Sequence, residues 1–106
     1  MVARVTVAEI DPVRQNPARA IERFERELIP ALHEQEGYEG CYVLLSEEGK
    51  VLVISFWSSD ESARVSQSSG FYQSQIDKLS DLVFFRAPPG REAYDVVVAE
   101  APVIAG

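Results

Sequence analysis

Residues 41–57 hold two apolar runs, Cys41-Tyr42-Val43-Leu44-Leu45 and Val51-Leu52-Val53-Ile54-Ser55-Phe56-Trp57, with Glu47-Glu48-Gly49-Lys50 in the polar link between them. Two such runs joined by a short glycine-containing loop read as a β-hairpin. Neither run alternates apolar with polar. Successive side chains on a strand point to opposite sides, so Val51 and Val53 face one way while Leu52, Ile54 and Phe56 face the other. In the first run Cys41, Val43 and Leu45 oppose Tyr42 and Leu44. A hairpin apolar on both sides needs cover on both sides.

On the N-terminal side, Val2 to Ile10 is rich in β-branched residues and reads as a strand ended by Asp11-Pro12. Asn16-Pro17 signals a helix start, a capping side chain followed by proline at the first helical position. Ile21, Phe24, Leu28, Ile29 and Leu32 then recur at helical spacing. Glu22, Arg23, Glu25 and Arg26 occupy the other face, with Glu22 and Arg26 spaced for an ion pair. Pro30 should kink this helix, and Gly37 is its expected terminator. On the C-terminal side, Ser59-Asp60-Glu61-Ser62 opens a second, serine-rich helix that Gly70 should break or bend. Tyr72, Ile76, Leu79 and Leu82 restore a helical stripe beyond it. Pro88-Pro89-Gly90 reads as a turn, and Ala93 to Ala99 as a last strand. The order is strand, helix, strand, strand, helix, strand. This βαββαβ order implies an α+β, ferredoxin-like domain: a four-stranded antiparallel sheet with both helices on one face.

The chain has 106 residues, one domain's worth, with a core over about 2–99 and a C-terminal tail at 100–106. Acidic residues number 17 against 10 basic, a net charge of −7. No basic footprint for nucleic acid is present, nor the Lys/Arg excess that an anionic membrane attracts. The longest apolar run, Cys41 to Leu45, is far too short to span a bilayer. Met1-Val2-Ala3-Arg4 passes straight into strand-like sequence without a signal-peptide pattern. The single cysteine, Cys41, rules out an internal disulfide, and with one histidine it makes no zinc site. The expected compartment is the cytoplasm, and the sequence implies no metal.

Two helices cover only one face of the sheet. The other would leave an apolar patch larger than monomers usually tolerate, and a second copy of the sheet is the economical cover. A homodimer packed sheet to sheet is therefore expected.

With this order in place, Glu36-Gly37-Tyr38-Glu39-Gly40 entering the second strand and Ile54-Ser55-Phe56-Trp57-Ser58-Ser59-Asp60-Glu61 leaving the third are similar to the "PGF-x-G" and "W-x-S-x-E" segments of one family. The chain resembles, over about residues 2–99, the antibiotic biosynthesis monooxygenase-like (ABM) domains of the dimeric α+β barrel superfamily. Glu36 departs from the proline common at its position. The resemblance implies two sheets facing each other across a dimer and a pocket in each subunit between the sheet and its helices. Residues expected to line that pocket are Phe24, Leu28, Trp57, Tyr72 and Ile76. The superfamily includes cofactor-independent oxidation of phenolic polyketides and haem degradation. Ile21-Glu22-Arg23-Phe24 is similar to the haem-degrading branch, yet Ser66 and Ile76 fall where that branch has its tryptophan and haem-ligand histidine. Its first-strand asparagine has no counterpart among Thr6, Val7 and Ala8. Haem degradation is not expected.

His33 is the one side chain with an ordinary pKa near neutrality, and reads either as a proton acceptor or as a helix-flank residue. Tyr72 shares a helical face with Ile76 and could offer a phenol to a ligand, or simply fill the core. Cys41 lacks an evident basic neighbour and reads as a small buried apolar residue. Tyr42 and Tyr94 read as core filling, Trp57 as packing, and Arg86 and Arg91 as solvated charges beside the turn. The expectation is a cofactor-independent monooxygenase or oxidoreductase acting on a small aromatic or polyketide-like molecule, with His33 and Tyr72 as catalytic candidates. The alternative is a non-catalytic small-ligand-binding or accessory homodimer.

Overall fold

The computed structural model describes residues 1–10, 16–68, 70, 74, 77, 84–85 and 91–100. Strand β1 (Val2–Glu9) is followed by a helical run of three pieces: α1 (Pro17–Arg23), a π-helical stretch (Phe24–Leu28) and α2 (Ile29–His33). Strands β2 (Tyr38–Leu45) and β3 (Lys50–Trp57) form the hairpin, and α3 (Asp60–Ser68) follows. Two short strands, β4 (Phe84–Phe85) and β5 (Arg91–Asp95), complete the sheet.

The hairpin forms in the register its pattern requires, Val43 opposite Val53 and Leu45 opposite Val51. Its loop is tied by Ser46, whose backbone N–H bonds the Lys50 carbonyl at 2.9 Å and whose Oγ accepts from the Lys50 N–H at 3.0 Å. The second strand begins at Tyr38, ahead of the expected start, with an irregularity between Tyr38 and Gly40. β3 pairs antiparallel with β1 along its whole length, from Val2 opposite Trp57 to Glu9 opposite Lys50. β4 lies on the far edge of β1 beside Ala8 and Glu9, and β5 lies there beside Val2 to Thr6. The five strands thus fill the four positions of the ferredoxin-like antiparallel sheet, with β2 at one edge and β1 and β3 central.

The last strand is displaced from the expected Ala93–Ala99. Val96, Val97 and Val98 have strong strand propensity, but β1 supplies no pairing position beyond Val2 opposite Asp95. Past that point, among the described residues, the backbone bond from Val96 N–H to the Met1 carbonyl at 3.0 Å holds the chain, and Val97 and Val98 are 87% and 85% exposed. Propensity without a partner makes no strand. The expected turn at 88–90 and the stripe residues Tyr72, Ile76, Leu79 and Leu82 lie outside the described residues.

The first helical run starts as expected: Asn16 Oδ1 accepts from the Ala18 N–H at 3.0 Å and Pro17 opens the helix. A change of helix type precedes Pro30, where a kink is expected. Ile29 N–H bonds back to the Phe24 carbonyl, five residues away, so a wider π turn sits just before the proline. Among the described residues the ion pair on this run is Arg23–Glu27 at 3.2 Å, and the expected Glu22–Arg26 pair is not formed. The run ends at His33, four residues before Gly37. Gly37 instead turns the chain into β2 at φ 81°, with its carbonyl accepting from Ser58 N–H at 2.8 Å. A Cβ there would sit 2.4 Å from Ser62 Oγ on α3, so glycine is needed for conformation and for close approach.

Ser59 caps α3, its Oγ accepting from Ser62 N–H at 3.1 Å, and Asp60 and Glu61 stand in the first turn. The helix stops at Ser68, and Gly70 takes φ 84°, the interruption expected there. The core lies between the helices and one face of the sheet: Ala8, Ile10, Val51, Val53 and Trp57 against Ala20, Phe24, Leu28, Leu32 and Ala63.

Candidate functional site

The helix-facing side of the sheet is not wholly apolar. On β1 the alternating residues Val2, Arg4, Thr6 and Ala8 all lie buried on that side. Arg4 stands opposite Ser55 and Thr6 opposite Val53. Arg4 is only 8% exposed, and its Nη1 donates to the Ala63 carbonyl on α3 at 3.2 Å. Ala63 and Ser66 are three residues apart, on one face of α3, and both are buried. Ser66, 5% exposed, donates through Oγ to Gln35 Oε1 at 3.3 Å, linking α3 to the turn after α2. Ser55 Oγ accepts from Trp57 Nε1 at 2.9 Å. A layer under α3 therefore holds a guanidinium and three hydroxyls, from Arg4, Thr6, Ser55 and Ser66. Such groups are expensive to bury and are kept where they are hydrogen-bonded. Chemically they offer a fixed positive charge and hydroxyls able to donate or accept.

At one end of the layer three rings follow one another. His33, exposed at the end of α2, meets Tyr38 edge-on with centroids 5.3 Å apart. Tyr38 meets Trp57 at 5.7 Å and 69°. Burial, and secondarily the nearby Cys41, pushes the Tyr38 phenol above its ordinary value. Burial likewise pushes the Cys41 thiol up to about 11, so at neutral pH it is a protonated, weakly nucleophilic group. That fits the apolar reading of Cys41.

The structure brings part of the expected set together. Phe24, Leu28 and Trp57 are all buried in the layer between helices and sheet. His33 sits at its solvent edge against Tyr38. Tyr72 and Ile76 lie outside the described residues. Arg4, Thr6, Ser66, Gln35 and Tyr38 went unremarked as site residues in the sequence. For Arg4 and Thr6 the signal was present, because strand parity from Val2 and Ala8 puts both on the helix side. For Gln35 and Ser66 no local signal exists, since their meeting spans 31 positions of chain. Among the described residues no group of His, Cys, Asp and Glu is arranged to hold a metal ion.

A second concavity lies elsewhere. Tyr42 and Phe56, packed edge-on at 5.8 Å on the open face, line a cavity of about 540 Å³ with Met1, Val96, Val98 and Ala99. Glu39 and Glu100 are its charged lining residues.

No family model matches the chain, and no curated protein matches it significantly in sequence. Solved structures do match it. A mutant form of SnoaB, a cofactor-independent oxygenase from Streptomyces nogalater, is 14% identical, with 92% of this chain and 94% of that one covered at a TM-score of 0.72. The ActVA-Orf6 monooxygenase of Streptomyces coelicolor, solved with nanaomycin D, is 18% identical over 98% and 92% of the two chains, with a TM-score of 0.64. NE2512 of Nitrosomonas europaea, a protein of unknown function, is 16% identical over 96% and 94%, at 0.68. This chain has the ferredoxin-like α+β fold of antibiotic biosynthesis monooxygenase-like domains. At such identities the likeness defines the fold and leaves the reaction to the site.

Proposed function

We propose that this chain is a cofactor-independent monooxygenase or oxidoreductase acting on a small aromatic or polyketide-like molecule. The observation that carries the reading is the polar layer under α3, Arg4 with Thr6, Ser55 and Ser66, set in a fold shared with a cofactor-independent oxygenase. A substrate able to form a phenolate or enolate can give electrons to oxygen directly. The resulting hydroperoxide loses water and leaves a new carbonyl, one oxygen atom going to product and one to water. The protein's part is desolvation, charge stabilisation and one proton acceptor. In this reading Phe24, Leu28, Trp57, Tyr72 and Ile76 line the substrate pocket, and His33 and Tyr72 are the proton-handling candidates. No cofactor or metal is invoked, and haem degradation is not part of the reading.

The working unit is proposed as a cytoplasmic homodimer with open sheet faces packed together. Tyr42, Leu44, Leu52, Ile54 and Phe56 would then leave water, as an apolar patch of that kind favours.

The second reading is a non-catalytic small-ligand-binding or accessory homodimer, and the cavity at Tyr42 and Phe56 favours it. One experiment separates the two. Metal-depleted protein is incubated with a panel of phenols and hydroxyanthrones, and oxygen uptake and product mass are followed. Uptake matched to a product carrying one added oxygen supports the oxygenase. No uptake with any compound, while native mass spectrometry finds an unaltered compound retained, overturns it in favour of the binder.

A further inference from the structure

Trp57 is the single tryptophan of the chain and is 2% exposed, within the core. Tyr38 is its partner across the β2–β3 pair, half-buried, with ring centroids 5.7 Å apart. His33, exposed, closes over the far side of Tyr38 at 5.3 Å. The three rings step from the interior to the surface in near contact. We propose that Trp57 and Tyr38 form a one-electron relay that carries oxidising equivalents out of the core to the solvent edge beside His33.

The chemistry balances as follows. A one-electron oxidant of the alkoxyl radical class takes an electron from Trp57 and, with a proton from water, becomes an alcohol. The indole N–H of Trp57 donates to Ser55 Oγ at 2.9 Å. A neutral hydroxyl is too weak a base to remove that proton, so the indole remains a radical cation and a strong oxidant. Tyr38 returns the electron to Trp57 and releases its phenolic proton to water, leaving a neutral phenoxyl and a restored indole. An imidazole is harder to oxidise than a phenol, so the radical stops at Tyr38. There a solution thiol can return it to the phenol by hydrogen-atom transfer. Tyr42 and Tyr94 are poor substitutes, because strand alternation sets them on the opposite face of the sheet. The relay stands apart from the oxygenase reading, since any one-electron oxidant that reaches Trp57 engages it.

Laser photoionisation of the single tryptophan, with light that tyrosine does not absorb, tests the relay without any substrate. Transient absorption should show the indole radical decaying as a phenoxyl signal rises. In Tyr38→Phe, which keeps the ring and removes only the hydroxyl, that conversion should be lost. In a triple variant, Tyr42→Phe with Tyr72→Phe and Tyr94→Phe, Tyr38 is the one tyrosine left and the conversion should persist. Conversion that survives in Tyr38→Phe, or disappears in the triple variant with circular dichroism unchanged, overturns the proposal.

Discussion

On the helix side of β3, Val51, Val53 and Trp57 are buried, whereas Leu52, Ile54 and Phe56 on the opposite side keep part of their surface in water. The contrast sharpens across the neighbouring strands. Arg4 and Thr6 are buried on the helix side, while Tyr42 and Leu44 are exposed on the open side. Polar residues lie inside and large apolar ones outside, the reverse of what hydropathy alone suggests. Burial here follows the presence of a cover. On the helix side the cover exists, so whatever polar chemistry lies beneath it is held there by hydrogen bonds. On the open side the apolar residues form an exposed patch, the one the proposed dimer would cover.

The largest effect should come from the covered face. Phe24→Ala removes a fully buried aromatic ring from the layer and should cost about 3–5 kcal/mol in urea unfolding. A cost no greater than that of a surface substitution would mean that the helices pack loosely on the sheet. Next comes the open face. Ile54→Lys, a charge in the middle of β3 opposite Tyr42, should convert a dimer into aggregate or unfolded chain by sedimentation equilibrium. If unmodified protein already sediments as an 11.8 kDa species with native circular dichroism, the open face is not a dimer interface.

A smaller effect is expected at the seam between the covering helix and the sheet. Gly37→Ala forces an L residue to φ 81° and drives a methyl into Ser62, a loss of about 1–2 kcal/mol from the backbone term with the contact added. Unchanged thermal stability would show that β2 and α3 can separate there at no cost. The mildest expectation concerns Cys41, half-buried on the covered side of β2. With its thiol raised to about 11 from 9.0, alkylation by iodoacetamide should be slow at pH 8 and accelerate only as the pH nears 11. The unfolded thiol ionises first, so this group weakens the fold as pH rises from 9.0 toward about 11. Rapid alkylation of folded protein at pH 8 would place Cys41 outside the covered layer.

Much of the architecture could be read locally. The hairpin at Cys41–Trp57, the Asn16-Pro17 helix start and the Ser59 cap each depend on residues within a few positions of one another, and all formed. Ala93–Ala99 reads as a strand, but pairing with β1 runs from Arg91 to Asp95 and Val96–Val98 lie outside it. The Glu22–Arg26 spacing suits an ion pair, yet the neighbouring i,i+4 pair Arg23–Glu27 is the one that forms. Gly37 reads as a helix terminator, but the helix ends at His33 and Gly37 serves the turn into β2 against Ser62, which local sequence does not bring near.

The candidate site divides along the same line. Short-range periodicity sufficed to put Phe24 and Leu28 on the inner face of a helix and Trp57 at the end of a strand, because parity and helical pitch are properties of adjacent residues. The charge balance and the two-faced strands were likewise fully present in the chain itself. Only the tertiary structure decided that Arg4 would reach the Ala63 carbonyl, that Ser66 would reach Gln35, and that Tyr38 would stand between His33 and Trp57. Apart from His33 and Tyr38, five positions apart, those meetings join residues distant in sequence, and their geometry is set by how α3 and the turn after α2 settle on the sheet.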